Sequence, residues 1–126
     1  GICLGMQLLF DSSTEGGFHE GLGLIPGKVE LLDLPTEFRI PHIGWNDLSS
    51  SNSTKIFNKL DDDKNFYFVH SYHVICNKEY VIAEVNYGKQ ITAAVQKDNI
   101  VGFQFHPEKS QRNGMIILND YFRIFS

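Results

Sequence analysis

Hydrophobic positions in this chain follow two rhythms, and the switches between them outline its elements. The run Leu4-Gly5-Met6-Gln7-Leu8-Leu9-Phe10 is continuous enough to predict an apolar helix just after Cys3. Residues 11–23 are polar and glycine-rich, which predicts a loop carrying Glu15 and His19. Alternation over Gly27–Leu32 predicts a short strand, broken by Leu34-Pro35 and Ile40-Pro41. Residues 41–48 have strand character with turn residues inside, 49–54 read as a polar linker, and 55–60 as a short helical turn. Aromatic and β-branched content predicts strands at 66–70, 81–85, 91–95 and 100–105, with a hairpin turn at 86–89. In the last of these Val101, Phe103 and Phe105 share one face, and Gly102 and Gln104 the other. A final helix over 111–124 is expected to turn Met115, Leu118, Phe122 and Phe125 inward.

Composition narrows what such a chain can be. Its 126 residues suffice for one core and one domain, and 42% hydrophobic with 21% charged residues is a globular balance. A net charge of −4 without a basic run speaks against a nucleic-acid partner. No apolar run is long enough to span a membrane. Cys3 and Cys76 do not make a secreted disulfide framework, and a reduced, cytoplasmic setting suits a thiol nucleophile better. The Asp61-Asp62-Asp63 run reads as a solvated turn, and His42, His70, His73 and Cys76 lack the spacing of a metal site.

The residues before the first helix change the picture. In Gly1-Ile2-Cys3-Leu4-Gly5 a cysteine stands two places from a glycine on either side, the spacing of a nucleophile elbow. There a strand turns sharply into a helix, and glycines are expected because side chains would collide as the two backbone arms close. A helix N-terminus beside Cys3 would favour the thiolate, and the Leu4 N–H would point at the same spot as one arm of an oxyanion hole. Taken alone, so short a motif fits a buried structural cysteine better. The second half of the chain supplies the partner. Pro107 biases His106 to extended backbone, so His106 and Glu108 can share a side, with the carboxylate holding one imidazole nitrogen. The other nitrogen would be free to exchange a proton with Cys3. A surface histidine beside a carboxylate that opens the next helix would read the same way.

Gly-Ile-Cys-Leu-Gly-Met-Gln (1–7) with Gly-Phe-Gln-Phe-His-Pro-Glu-Lys-Ser (102–110) resembles the class I, or triad, glutamine amidotransferases. Pro-His-Ile-Gly-Trp-Asn (41–46) and Phe-Tyr-Phe-Val-His-Ser-Tyr (66–72) are similar to the glutaminase subunits of imidazole glycerol phosphate synthase, from histidine biosynthesis. The resemblance covers essentially the whole chain and implies an α/β fold, an open mixed sheet flanked by helices in the flavodoxin-like manner. Family members carry several βα units before the elbow. The chain is therefore expected to be the C-terminal portion of a single amidotransferase domain, with N-terminal strands missing, sheet edges exposed and little activity alone.

The resemblance also implies roles. Cys3 would attack the side-chain amide of glutamine to give a γ-glutamyl thioester. His106, oriented by Glu108, would protonate the ammonia and then activate water. Gln7 and Glu15 would hold the glutamine, and Ser71 and Tyr72 would contact it through their backbone. The ammonia would pass to a (β/α)8-barrel synthase subunit, with Trp45, Asn46, Tyr67 and Lys109 near that interface. No cofactor is implied. A paralogue feeding another synthetase, and a non-catalytic docking fragment, are the alternatives.

Overall fold

The computed structural model describes residues 1–51 and 54–126. In chain order the elements are α1 (Leu4–Gln7), β1 (Ser12–Ser13), β2 (His19–Glu20), β3 (Lys28–Leu31), β4 (His42–Ser50), β5 (Asn65–His70), β6 (Tyr72–Ile75), β7 (Val81–Asn86), β8 (Gln90–Lys97), β9 (Ile100–Phe103) and α2 (Gln111–Phe125). Five strands pair in the order β5-β4-β7-β8-β9, each neighbour antiparallel. Along the other side of β9, Ile2 forms a parallel bridge to Phe103, so the sheet is mixed where the chain turns into α1. A second sheet runs β2-β1-β3-β6. Among the described residues no helix is long and apolar enough to cross a membrane.

Two apolar clusters hold these layers together. The larger joins Phe66, Phe68, Phe103 and Phe105 to Ile117 of α2 and to Ile56, Phe57 and Leu60 of the turn at 55–60. The smaller packs Met6, Leu9 and Phe10 against Ile25, Val29, Val74 and Val95. The alternation expected after Ile100 holds: Val101, Phe103 and Phe105 are buried in the large cluster. Gly102 faces the other way, where a Cβ would lie 2.7 Å from Met6 Cγ, so its missing side chain lets α1 lie on the strand.

The strands expected at 27–32, 66–70, 81–85 and 91–95 are present, the one expected at 100–105 ends at Phe103, and the hairpin closes with Tyr87 N–H donating to Lys89 O. Several expectations need correction. The first helix is only four residues and continues through tight turns, Leu9 N–H to Met6 O and Phe10 N–H to Gln7 O. The expected loop at 11–23 contains β1 and β2, whose pairing with each other and with β3 is invisible to composition. Ser49 and Ser50 belong to a nine-residue strand, because they pair with Glu84 and Ala83. Asn52 and Ser53 of the expected linker lie outside the described residues. β6 was not expected at all.

The last helix turns a different face from the one its apolar spacing suggests. Asn113, Gly114, Ile117 and Asp120 are buried, while Met115 is 59% and Phe122 65% exposed. Of the four positions expected inside, Phe125 packs on the core; Leu118 and Phe122 instead help line an apolar cleft of about 180 Å³ with Gly1, Ile2, Val101, Phe103 and Tyr121. Polar anchors decide the rotation. Asn113 Nδ2 donates to the carbonyls of Asp63 and Asn65, and Asp120 pairs with Lys59 and Arg123.

Gly114 lets this face approach the Pro107 carbonyl so closely that a Cβ would sit 1.8 Å from the oxygen. Helix propensity alone would make Gly114→Ala stabilising by about 1 kcal/mol. Backbone against backbone cannot yield, and overpacking of about 1–3 kcal/mol or more dominates. Gly114→Ala is therefore expected to lower the urea midpoint, and a raised midpoint would refute the close approach.

Candidate active site

Cys3 sits at the apex of the turn with φ 52° and ψ −108°, a region that L-residues rarely occupy. The arms are closed by Cys3 N–H to Phe103 O at 2.7 Å and Phe103 N–H to Gly1 O at 2.8 Å. A Cβ on Gly1 would lie 2.5 Å from Gly5 O, so this glycine is required by the closure. Gly5 is not: the space beside it is open, against the symmetric expectation from sequence.

Strand β5 and the segment after β9 build the rest of the site. The Cys3 thiol points to Val69 O at 3.8 Å, and two residues back Tyr67 O accepts the His106 backbone N–H at 3.0 Å. Ser110 Oγ ties the two segments further, accepting from Tyr67 N–H and donating to His106 O. The His106 ring lies 2.8 Å, Nδ1 to Oε2, from Glu108. Its N-cap backbone is extended (φ −103°, ψ 97°), as expected before proline. Among the described residues no hydrogen bond joins Cys3 Sγ directly to the His106 ring. Catalytic contacts of this kind often tighten only with substrate bound.

The thiol is not held ready as a thiolate. Burial pushes its pKa up; hydrogen bonds from the Leu4 N–H and Gln104 act against this, and the charges of Glu108 and Glu15 add to the rise. The Leu4 N–H acts on the sulfur as a hydrogen-bond donor.

Gln104 is the site residue that the sequence reading passed over. It is fully buried, its Nε2 reaches Cys3 Sγ at 3.8 Å, and its Oε1 accepts from Gln7 Nε2 at 3.2 Å. A polar side chain inside the apolar run 100–105 was the available signal. Gln7 spends its other N–H on Tyr72 O at 3.1 Å, and among the described residues its Oε1 has no protein donor. The Ser71 carbonyl accepts from Leu32 N–H. Glu15 is exposed in the turn after β1, close enough for its charge to act on Cys3. His19 is exposed, and its ring Nε2 lies 3.3 Å from Gly16 O.

The four residues expected near a partner do not form one surface. Trp45 and Tyr67 are cross-strand neighbours with ring centroids 5.8 Å apart, and Lys109 is exposed in the turn after His106. Asn46 lies on the opposite face of β4 from Trp45, where its Nδ2 meets His42 Nε2. His42 Nδ1 in turn lies 2.9 Å from His70 Nε2, and His70 Nδ1 lies 2.9 Å from Tyr72 O.

Among known protein families, a profile described as glutamine amidotransferase class-I matches residues 1–124. The chain belongs to the class I glutamine amidotransferase family. It is 54% identical over 121 residues to "Imidazole glycerol phosphate synthase subunit HisH 2" of Vibrio vulnificus, covering 96% of this chain and 56% of that protein. A subunit HisH of Listeria monocytogenes is 48% identical over 96% of this chain and 58% of its own length. Another from Aquifex aeolicus is 46% identical over 98% and 59%. The chain thus spans a little over half the length of these relatives. Among solved structures, a putative GMP synthase component from Thermoplasma acidophilum matches with TM-score 0.68 at 21% identity, over 99% of this chain and 55% of that one. A glutamine amidotransferase from Thermotoga maritima matches with TM-score 0.56 at 20% identity, over 98% and 46%. These two are likenesses of fold.

The amidotransferase chain carries a pH liability in its histidine pair. Burial, helped by nearby imidazoles and opposed at His70 by the hydrogen bond to Tyr72 O, lowers both His42 and His70 to about 4. An unfolded imidazole titrates near 6.5, so the unfolded chain binds more protons between those values and stability falls as pH drops through that window. The slope is up to about 1.4 kcal/mol per pH unit for each ring. Urea midpoints are expected to be flat above pH 7 and to fall steeply towards pH 4.5, less steeply in His42→Phe; an equal slope in that variant would contradict the assignment.

Proposed function

We propose that this chain carries the glutaminase chemistry of an amidotransferase that feeds ammonia to an imidazole glycerol phosphate synthase. The observation behind the reading is the elbow cysteine set beside Gln104 and Leu4 N–H, on the same strand edge that holds the His106–Glu108 pair. In it, Cys3 gives its proton to His106 and attacks the γ-carboxamide carbon of glutamine. The oxygen takes up negative charge opposite Leu4 N–H. Collapse of this adduct expels the amine, which takes the proton from His106 and leaves as ammonia, with the acyl group on sulfur. Water, deprotonated by His106, then cleaves the thioester to glutamate and restores the thiol. Glu108 holds Nδ1–H, which keeps Nε2 as the proton-exchanging nitrogen. Gln7 Oε1 and the Glu15 carboxylate suit the ammonium end of glutamine.

The acceptor side rests on the relatives named as imidazole glycerol phosphate synthase subunits. We place a (β/α)8-barrel synthase against the face bearing Trp45, Tyr67 and Lys109, in a reducing, cytoplasmic compartment. The chain would supply the C-terminal portion of the amidotransferase domain. The apolar stripe of Met115, Leu118 and Phe122 beside Ile2 is the surface on which the remaining length of such a domain would pack.

Treatment with a glutamine-mimicking electrophile, read by intact mass, tests the site. One adduct is expected on Cys3, suppressed by excess glutamine and absent in Cys3→Ala. Cys76 should stay unmodified, since burial raises its thiol to about 11. Equal labelling of both cysteines, indifferent to glutamine, would sink the reading. In an assembled synthase, Glu108→Gln is expected to lower glutamine turnover by about 10- to 100-fold with little change in KM.

A further inference from the structure

His42 and His70 are buried, polar and unused by the chemistry assigned to Cys3, His106 and Glu108. Packing alone does not call for imidazoles there. His42 stacks between Phe68 and Tyr87, at centroid separations of 4.8 and 4.0 Å, where a phenyl ring would serve without the cost of burying polar nitrogens.

The direction of each hydrogen bond follows from one end. A carbonyl only accepts, so at Tyr72 O the hydrogen belongs to His70 Nδ1. A neutral His70 then offers Nε2 as acceptor, and His42 Nδ1 must donate to it. His42 Nε2 is left to accept from Asn46 Nδ2. The same Tyr72 carbonyl accepts from Gln7 Nε2, which also donates to Gln104 Oε1. With its oxygen so occupied, Gln104 must turn Nε2, a donor, towards Cys3 Sγ. A flipped carboxamide would face the sulfur with an acceptor and oppose the thiolate.

We propose that His42 and His70 are positioning residues for the nucleophile: through the Tyr72 carbonyl they fix the Gln7 and Gln104 carboxamides so that a donor faces Cys3, linking Asn46 on β4 to the state of the thiol. The proposal rests on the glutaminase reading only for what Cys3 attacks. Buried polar networks of this kind set geometry more than they add stability. Packing against Phe68 and Tyr87 is the competing role, and the two make opposite predictions.

In a Cys76→Ser background, the rate of Cys3 alkylation by iodoacetamide is measured by intact mass across about pH 6 to 9. His42→Asn places its Nδ2 where the imidazole Nδ1 was, and should keep the wild-type midpoint despite the lost volume. His42→Phe keeps the volume but donates nothing. It should move the midpoint to higher pH and slow alkylation at neutral pH about threefold or more. His42→Gln, whose amide lies at the ε position and misses His70, should behave like His42→Phe. If the phenylalanine variant does not fold, the Gln and Asn variants still decide. A wild-type profile in His42→Gln, or a His42→Asn profile displaced as far as that of His42→Gln, overturns the proposal. Iodoacetamide carries no glutamine group, so this result stands apart from glutamine protection, which reports separately on the glutaminase reading.

Discussion

The backbone pairing of Gly1–Cys3 with Phe103 is the constraint from which the rest of the site follows. Two short hydrogen bonds clamp the turn to the end of β9. That clamp fixes the distance from the nucleophile to everything the chain places next, because Gln104 and His106 follow Phe103 directly. Strand alternation sends Phe103 and Phe105 into the core and Gln104 to the sulfur. The chain leaves β9 after Phe103, and His106 is then caught by Tyr67 and Ser110. Cys3 and His106 are therefore both tied by backbone hydrogen bonds to strands of the same sheet.

Electrostatics assign the partners different tasks. Burial pushes the Cys3 thiol up against the hydrogen bonds from Leu4 N–H and Gln104, and the charges of Glu108 and Glu15 add to the rise. A pair that rested as thiolate and imidazolium would have to give back solvation already lost. In the proposed reaction charge separation would wait for substrate, when the Leu4 N–H would have an oxyanion to stabilise. Glu108 works against the thiolate through space and lies 2.8 Å from His106 Nδ1.

Local patterns were legible and cross-chain relations were not. Cys3 between its glycines, and His106-Pro107-Glu108, could be read because each motif carries its geometry in a few consecutive residues. β1 and β6 could not, since a strand of two or four residues exists only through its partners. The face of α2 was misread because it bears apolar residues on two sides. Asn113 and Asp120, polar residues that apolar spacing does not flag, are the ones drawn in by Asp63, Asn65 and Lys59. Gln104 was hidden for the converse reason. In a strand of Val and Phe it reads as an edge position, and only the clamp at Phe103 shows that its side faces a sulfur.

Strand β4 joins these themes. Trp45 and Asn46 are adjacent in sequence but face opposite ways, one to solvent beside Tyr67 and one to His42. A protein seated on the outer face would press on the same backbone that holds the first donor of the buried chain. A rotation of the strand that moves Trp45 must also move Asn46, since the peptide planes between them are stiff. Each imidazole in the chain has one donor and one acceptor, so a change at Asn46 cannot be absorbed locally without leaving a buried nitrogen unpaired. The alternatives are a break, which costs the desolvation of that nitrogen, or a shift passed on to Tyr72 and thence to Gln7 and Gln104. A strand with one face outward and the other wired to the nucleophile is thus a physical route by which docking could set the thiol.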